Sequence, residues 1–238
     1  MNLRGLEKFT LVDYPGKIAS IVFTGGCNLR CPFCHNPVLV FDPESQPRVT
    51  ETEFFNYLAK RRGLIEGVVI SGGEPLLQAD IPQFIARIRA GGFAVKLDTN
   101  GTMPDRLYEV ITGCGVDALG IDYKLPAARY GELGGGEDLG GNVAKSIAMA
   151  LASGAELDIR TTVHKRLLPP ADLAAMAAEL EALGVTAWTL QQYHPVEVID
   201  DTLSSEPTYG DKELTELARK LRGALRVKVR GIYGREME

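Results

Sequence analysis

Three cysteines stand within eight positions in the run Gly26-Cys27-Asn28-Leu29-Arg30-Cys31-Pro32-Phe33-Cys34. Thiolates bind soft metals, and three in one tight loop can turn inward around a single centre. A complete 4Fe-4S site uses four cysteine thiolates, so three with no nearby fourth leave one iron open to another ligand. The alternative is a zinc site of three cysteines and one histidine, with His35 next door. Zinc modules usually space a second ligand pair farther on, and His35, adjacent to Cys34, is badly placed to reach the same ion. The spacing therefore favours the cluster. Cys114, between two glycines after a helical stretch, reads as a buried free thiol rather than a fourth ligand.

Other groups are grouped by the two-residue period of a strand. Asp98 and Asn100 share one face, as do Asp122 and Lys124. Charges that point into a barrel must be paired or bind a ligand, because an isolated buried charge is costly; a structural Asp-Lys pair is the plainer reading. Ser71-Gly72-Gly73-Glu74 ends a β-rich run, and its two glycines allow close backbone approach to a ligand. An ordinary strand-to-helix turn is the alternative, although such a turn needs no Glu at its apex. Arg160 alternates with Asp158 and Thr162, either to neutralise a bound carboxylate or to pair with Asp158. His164 has no supporting context and reads as structural. The stretch Tyr130 to Glu137 is rich in glycine but follows no clean strand, so it reads as a flexible surface loop and not as a phosphate loop.

The elements that must position these groups alternate along the chain. β-rich runs occur at Ile18–Phe23, Gly67–Ile70, Phe93–Leu97, Val116–Ile121, Glu156–Val163 and Ala187–Leu190. Between them lie helical patterns at Glu51–Arg62, Asp80–Ala90, Asp105–Thr112, Gly141–Ser153 and Ala171–Leu183. This order predicts an α/β fold, an open partial (β/α) barrel of six parallel strands with outer helices and right-handed crossovers. A hairpin around Asp13-Tyr14-Pro15-Gly16 is expected before the first strand. After a helix over Asp211–Leu221, Leu225–Val229 is expected as a late edge strand. The strand C-terminal ends would then carry the site.

With 238 residues, 45% hydrophobic and 24% charged, residues 1–238 are expected to form a single domain. The net charge of -5 offers no basic footprint, so nucleic acid is not an expected partner. No apolar run approaches the roughly 18 residues of a membrane helix, and the N-terminus turns polar too soon for a signal peptide. A cytoplasmic, reducing compartment is the expectation, and the cysteine distribution agrees with it.

The C-x3-C-x2-C run with Phe33 before its last cysteine resembles the signature of the radical S-adenosylmethionine superfamily. Cys34-His35-Asn36-Pro37, Ser71 to Ala79, Leu97-Asp98-Thr99-Asn100-Gly101 and Asp122-Tyr123-Lys124 resemble, in order, segments of the glycyl-radical-enzyme activating proteins. The opening Thr10-Leu11-Val12-Asp13-Tyr14-Pro15-Gly16-Lys17 is similar to the branch that activates anaerobic ribonucleoside-triphosphate reductase. The resemblance is strong from residue 10 to about 125 and rests beyond that chiefly on Arg160-Thr161-Thr162-Val163 and Tyr193-His194.

What the resemblance implies is specific. Cys27, Cys31 and Cys34 would hold a 4Fe-4S cluster whose open iron chelates S-adenosylmethionine, with Gly72, Gly73 and Glu74 at the methionine ammonium. Lys124 and His194 would meet the carboxylate, and Phe33 and His35 the adenine, unless Phe33 is core and His35 surface. Asp98, the Thr99 carbonyl and Asp122 would hold a monovalent cation, with Asn100 beside them. Reductive cleavage would yield a 5′-deoxyadenosyl radical that abstracts hydrogen from a glycine of a partner glycyl radical enzyme. With one spare cysteine there is no second cluster, so electrons would come from an external flavodoxin or ferredoxin. Two rivals stand beside this reading: a radical S-adenosylmethionine enzyme acting on a small molecule such as a deazapurine precursor, and a zinc-stabilised binding module.

Overall fold

The computed structural model describes residues 1–194, 198–231 and 236–237. Its strands form one nine-stranded sheet in sequence order. Strand β1 (Leu3–Thr10) runs antiparallel to β2 (Ala19–Thr24), and the hairpin between them turns at Tyr14, whose carbonyl accepts from Lys17 N at 3.1 Å. From β2 the sheet is parallel through β3 (Gly67–Gly72), β4 (Ala94–Thr99), β5 (Ala118–Asp122), β6 (Glu156–Val163), β7 (Ala187–Gln192) and β8 (Arg226–Arg230). The six expected parallel strands are present, and the late edge strand joins them as a seventh. A two-residue strand, β9 (Glu236–Met237), pairs antiparallel with β8. Among the described residues β1 and β9 are the outermost strands of this order, so the sheet is open.

Helices α1 (Pro37–Phe41), α2 (Glu51–Ala59), α3 (Ile81–Ala90), α4 (Pro104–Gly113), α5 (Leu139–Ser153), α6 (Pro170–Ala182) and α7 (Asp211–Lys220) link the strands. Their starts follow local chemistry: Thr50 and Glu53 close a reciprocal capping box on α2, and Pro stands in the first turn of α3, α4 and α6. Only α1, five residues just beyond the cysteines, lies outside the helical patterns of the sequence.

Strands covered on both faces are apolar in near-continuous runs. Val22, Val68, Ile70, Val95, Leu97, Leu119 and Ile121 pack into the large core shared with the helices. The alternate residues Ile21, Val69 and Ala118 join Tyr14 and Ala19 in a small second cluster, with Phe23 and Ala94 against it. Further along β4 to β6 that second face turns polar, with Lys96 and Asp98, then Gly120 and Asp122, then Asp158 and Arg160. Parallel register sets Asp98 beside Gly120, Gly120 beside Asp158, and Asp122 beside Arg160.

Candidate functional site

The cysteine loop leaves the end of β2 through Gly25 and Gly26, the latter at φ +90. Four backbone hydrogen bonds from distant segments fix its course. Gly26 N donates to Leu39 O (2.8 Å), Gly26 O accepts from Glu74 N (2.8 Å), Arg30 N donates to Leu133 O (2.8 Å), and Pro32 O accepts from Asp200 N (2.9 Å). Cys27, Cys31 and Cys34 thereby line one cavity of about 280 Å³, together with Phe33, His35, Gly72, Gly73, Asp98, Asn100, Asp122 and Lys124. The C-terminal ends of β2 to β5 thus bring eleven of the thirteen sequence-predicted residues to one space.

Glu74 departs from expectation. It is fully buried and lies outside the cavity lining. Its Oε1 accepts from Leu76 N (3.0 Å) and Thr99 Oγ1 (2.8 Å), and its Oε2 from Asn100 N (2.8 Å). The carboxylate therefore ties the end of β3 to the end of β4. Burial pushes this carboxyl up to about 7, against the pull of those three donors. The glycines also differ in what they approach. A Cβ on Gly73 would lie 1.9 Å from Gly26 O, and one on Gly72, at φ +119, 2.3 Å from Thr24 N. The close approach they permit is to the base of the cysteine loop.

His194 follows β7 and also lies outside the lining. Burial lowers the His35 imidazole, and the charges of His194 and Lys124 push it the same way. Phe33 is buried and carries the Lys124 ammonium 5.8 Å from its ring centroid. Asn100 Nδ2 reaches Asn28 Oδ1 (2.9 Å) and lies 3.9 Å from Cys27 Sγ. Asn28 in turn donates to Thr102 Oγ1 (2.8 Å), so β4 and the cysteine loop are stitched by side chains as well.

A chain of alternating charges runs across the inner face. Lys96 Nζ meets Asp98 Oδ1 at 2.7 Å, and Arg160 Nη2 meets Asp98 Oδ2 at 2.9 Å. Arg160 Nε meets Asp122 Oδ1 at 2.6 Å, and Lys124 Nζ meets Asp122 Oδ2 at 3.2 Å. Burial alone would raise the Asp122 carboxyl, but Arg160 and Lys124 hold it well below the carboxylate range. Burial would likewise lower Lys124, and Asp122 outweighs it, so the ammonium stays charged. Of the two readings left open by its sequence pattern, the pairing is present at long range, with Asp158 Oδ2 3.8 Å from Arg160 Nη1, and the guanidinium also lines the cavity.

Whether a metal centre fits is a question for the donor set. Burial raises the thiols of Cys27 and Cys31, the latter to about 11, so both need a metal to stay ionised at neutral pH. Cys27, Cys31 and Cys34 line the same cavity, and a cluster of several irons takes each thiolate at a separate corner, so the donor set fits such a group. Cys114 ends α4 and hydrogen-bonds Val110 O (3.3 Å), outside the cavity lining.

Several supporting residues carried no signal recognised in the sequence. Gly120 is one that strand-interior glycine could have flagged: a Cβ there would lie 2.2 Å from Asp98 Oδ1. The glycine-rich stretch is another. Tyr130 and Leu133 are buried in a 3-10 turn, Tyr130 Oη accepts from Lys124 N (2.8 Å), and Gly135 at φ +93 sits where a Cβ would lie 2.5 Å from Asn28 O. The stretch backs the cysteine loop and Lys124, which corrects the expectation of a mere surface loop. His164 is buried, as a structural residue would be, with Tyr193 edge-on at 5.0 Å between centroids.

Comparison with known proteins agrees with this geometry. The radical SAM superfamily profile matches residues 21–165. A Methanocaldococcus jannaschii protein whose name assigns it to the glycyl-radical enzyme activating enzymes is 32% identical over 220 residues, 90% of this chain and 89% of that protein. The pyruvate formate-lyase-activating enzyme of Staphylococcus epidermidis is 38% identical over 104 residues, 42% of this chain and 41% of its own. Solved structures share the fold at low identity. Streptococcus suis SuiB bound to precursor peptide SuiA gives a TM-score of 0.69 at 14% identity, over 90% of this chain and 48% of SuiB. TYW1 with a lysine-pyruvate adduct gives 0.61 at 17%, over 85% and 72%. With its three cysteines at the end of the first parallel strand, the chain is an enzyme of the radical SAM superfamily and belongs to its glycyl-radical-enzyme activating family.

Proposed function

We propose that the chain acts as a single-domain activase that installs a glycyl radical in a partner enzyme, anaerobic ribonucleoside-triphosphate reductase. The observation that carries this is the meeting of three thiols and a cation-rich wall in one cavity at the strand ends. Cys27, Cys31 and Cys34 would hold a 4Fe-4S cluster with one open iron; when bound, it supplies the electron that cleaves S-adenosylmethionine to methionine and the 5′-deoxyadenosyl radical that takes the glycine hydrogen.

The protein's own residues orient the cofactor. Lys124, held charged by Asp122, would meet the methionine carboxylate, while Gly72 and Gly73 would offer backbone to the ammonium and Phe33 and His35 would flank the adenine; all five line the cavity. His194, which follows β7, would meet the same carboxylate. Glu74 positions: it fixes the ends of β3 and β4 around the base of the cysteine loop. The opening segment Thr10 to Lys17 supports the choice of reductase as partner. Electrons would arrive from a flavodoxin or ferredoxin in a reducing cytoplasm. Among the described residues no helix is long and apolar enough to cross a membrane.

The test mixes reduced enzyme, S-adenosylmethionine and the reductase under anaerobic conditions and looks by electron paramagnetic resonance for a glycyl doublet. A doublet that requires all three cysteines is expected. Turnover of a metabolite with no protein partner would instead establish the small-molecule rival, and a colourless protein with one zinc and no iron the binding module.

A further inference from the structure

Asp98 and Asp122 are the carboxylates that resemblance assigns to a monovalent cation, and every one of their four oxygens already faces a cationic side chain. Asp98 is taken by Lys96 and Arg160, Asp122 by Arg160 and Lys124. Arg160 is the bridge: one guanidinium spans both carboxylates, at 2.9 and 2.6 Å. A metal ion between them would have to displace it.

The room for that guanidinium is built into the sheet. Gly120 sits between Asp98 and Asp158 in register. A Cβ at Gly120 would lie 2.2 Å from Asp98 Oδ1 and 3.2 Å from Arg160 Nη1, so a side chain there would push Asp98 off its present position. Lys96, Arg160 and Lys124 thus face Asp98 and Asp122, and Asp158 Oδ2 lies 3.8 Å from Arg160 Nη1 on its other side. Buried charges are tolerated when paired and hydrogen-bonded, which this arrangement achieves without an ion from solution.

We infer that Arg160 replaces the monovalent cation, so that this enzyme binds S-adenosylmethionine without sodium or potassium. The inference rests on the reading of the cavity as the S-adenosylmethionine site. Removing the guanidinium should leave two carboxylates facing a gap, a donor set of hard oxygens suited to an alkali cation.

Isothermal titration of the anaerobically reconstituted enzyme with S-adenosylmethionine, in potassium, sodium or choline chloride at equal ionic strength, reads this directly. Wild-type affinity should change less than about twofold among the three salts. Arg160→Ala should bind at least about tenfold more weakly in choline and recover much of the loss in potassium or sodium, while Arg160→Lys should stay indifferent to the salt. Wild-type binding that needs potassium or sodium overturns the inference and leaves the cofactor reading intact. Undiminished, salt-indifferent binding by Arg160→Ala overturns it too. Should Arg160→Ala fail to fold, the wild-type titration decides alone. Absence of wild-type binding in every salt refutes the cofactor reading, and the inference with it.

Discussion

Replacing Gly73 by alanine adds one methyl group and should dismantle the cluster loop. The new Cβ would lie 1.9 Å from Gly26 O, 2.6 Å from Gly26 C and 3.3 Å from Cys27 N. Real contacts do not close below about 3.0 Å, so the Gly26 carbonyl must retreat by roughly 1.1 Å or more. The obstacle is backbone on both sides, with no flexible side chain to swing aside. That movement breaks the 2.8 Å bond from Glu74 N to Gly26 O and carries Cys27 with it. A functional constellation tolerates displacements of only about 0.5 Å, and overpacking of this kind costs about 1–3 kcal/mol. The assay pairs thermal unfolding with iron and sulfide determination after anaerobic reconstitution. Gly73→Ala should lose about 1–3 kcal/mol of stability and most of its iron. The control is Gly113→Ala, at the end of α4, where a Cβ meets nothing within 4 Å and helix propensity favours alanine. Full iron occupancy and unchanged stability in Gly73→Ala would refute the claim that Gly72-Gly73 braces the cysteine loop.

Other consequences are as direct. Lys124→Ala should weaken S-adenosylmethionine binding by about tenfold or more in calorimetric titration, since it strips the cavity of the cation that Asp122 holds in place. Gly135→Ala should reduce iron retention with little effect on residual secondary structure by circular dichroism, because it combines positive φ with a 2.5 Å approach to Asn28 O. Glu74 gives a pH signature. Its folded pKa of about 7 exceeds the ordinary 4.5, so the stabilisation it contributes is complete below about 4.5 and is lost as pH rises through 7. Thermal unfolding of the cluster-free protein from pH 5 to 8 should therefore fall with a component of up to roughly 3 kcal/mol that Glu74→Gln lacks; parallel profiles for the two proteins would contradict it.

Periodicity made the fold legible, because strands buried on both faces announce themselves as short apolar runs and the helices between them carry start signals. Gly67–Ile70 and Ala187–Leu190 each fell inside a strand that the structure extends by two residues at its C-terminal end. The cysteine spacing was legible for the same reason: three ligands are local in sequence. What was not legible depends on contacts between distant segments. Glu74 reads as a ligand in isolation, and only the folded chain brings Thr99 and the Asn100 amide to its oxygens. Tyr130 to Glu137 reads as loop by composition, yet Gly135 is needed because the cysteine loop passes against it at Asn28 O. The partners of Arg160 are not legible in sequence, because a strand face shows which residues share a side and not which charges lie across the barrel; Asp98 and Asp122 arrive from two other strands.

The central claim is that a radical made at Cys27, Cys31 and Cys34 takes hydrogen from a glycine of another protein, and an isotope can follow that atom. The proposed partner, anaerobic ribonucleoside-triphosphate reductase prepared with glycine deuterated at both α positions, is incubated anaerobically with reduced enzyme and S-adenosylmethionine, and the 5′-deoxyadenosine formed is weighed by mass spectrometry. The account predicts product heavier by one deuterium, in amounts matching the glycyl radical counted by electron paramagnetic resonance. Product that stays unlabelled while 5′-deoxyadenosine accumulates would contradict it.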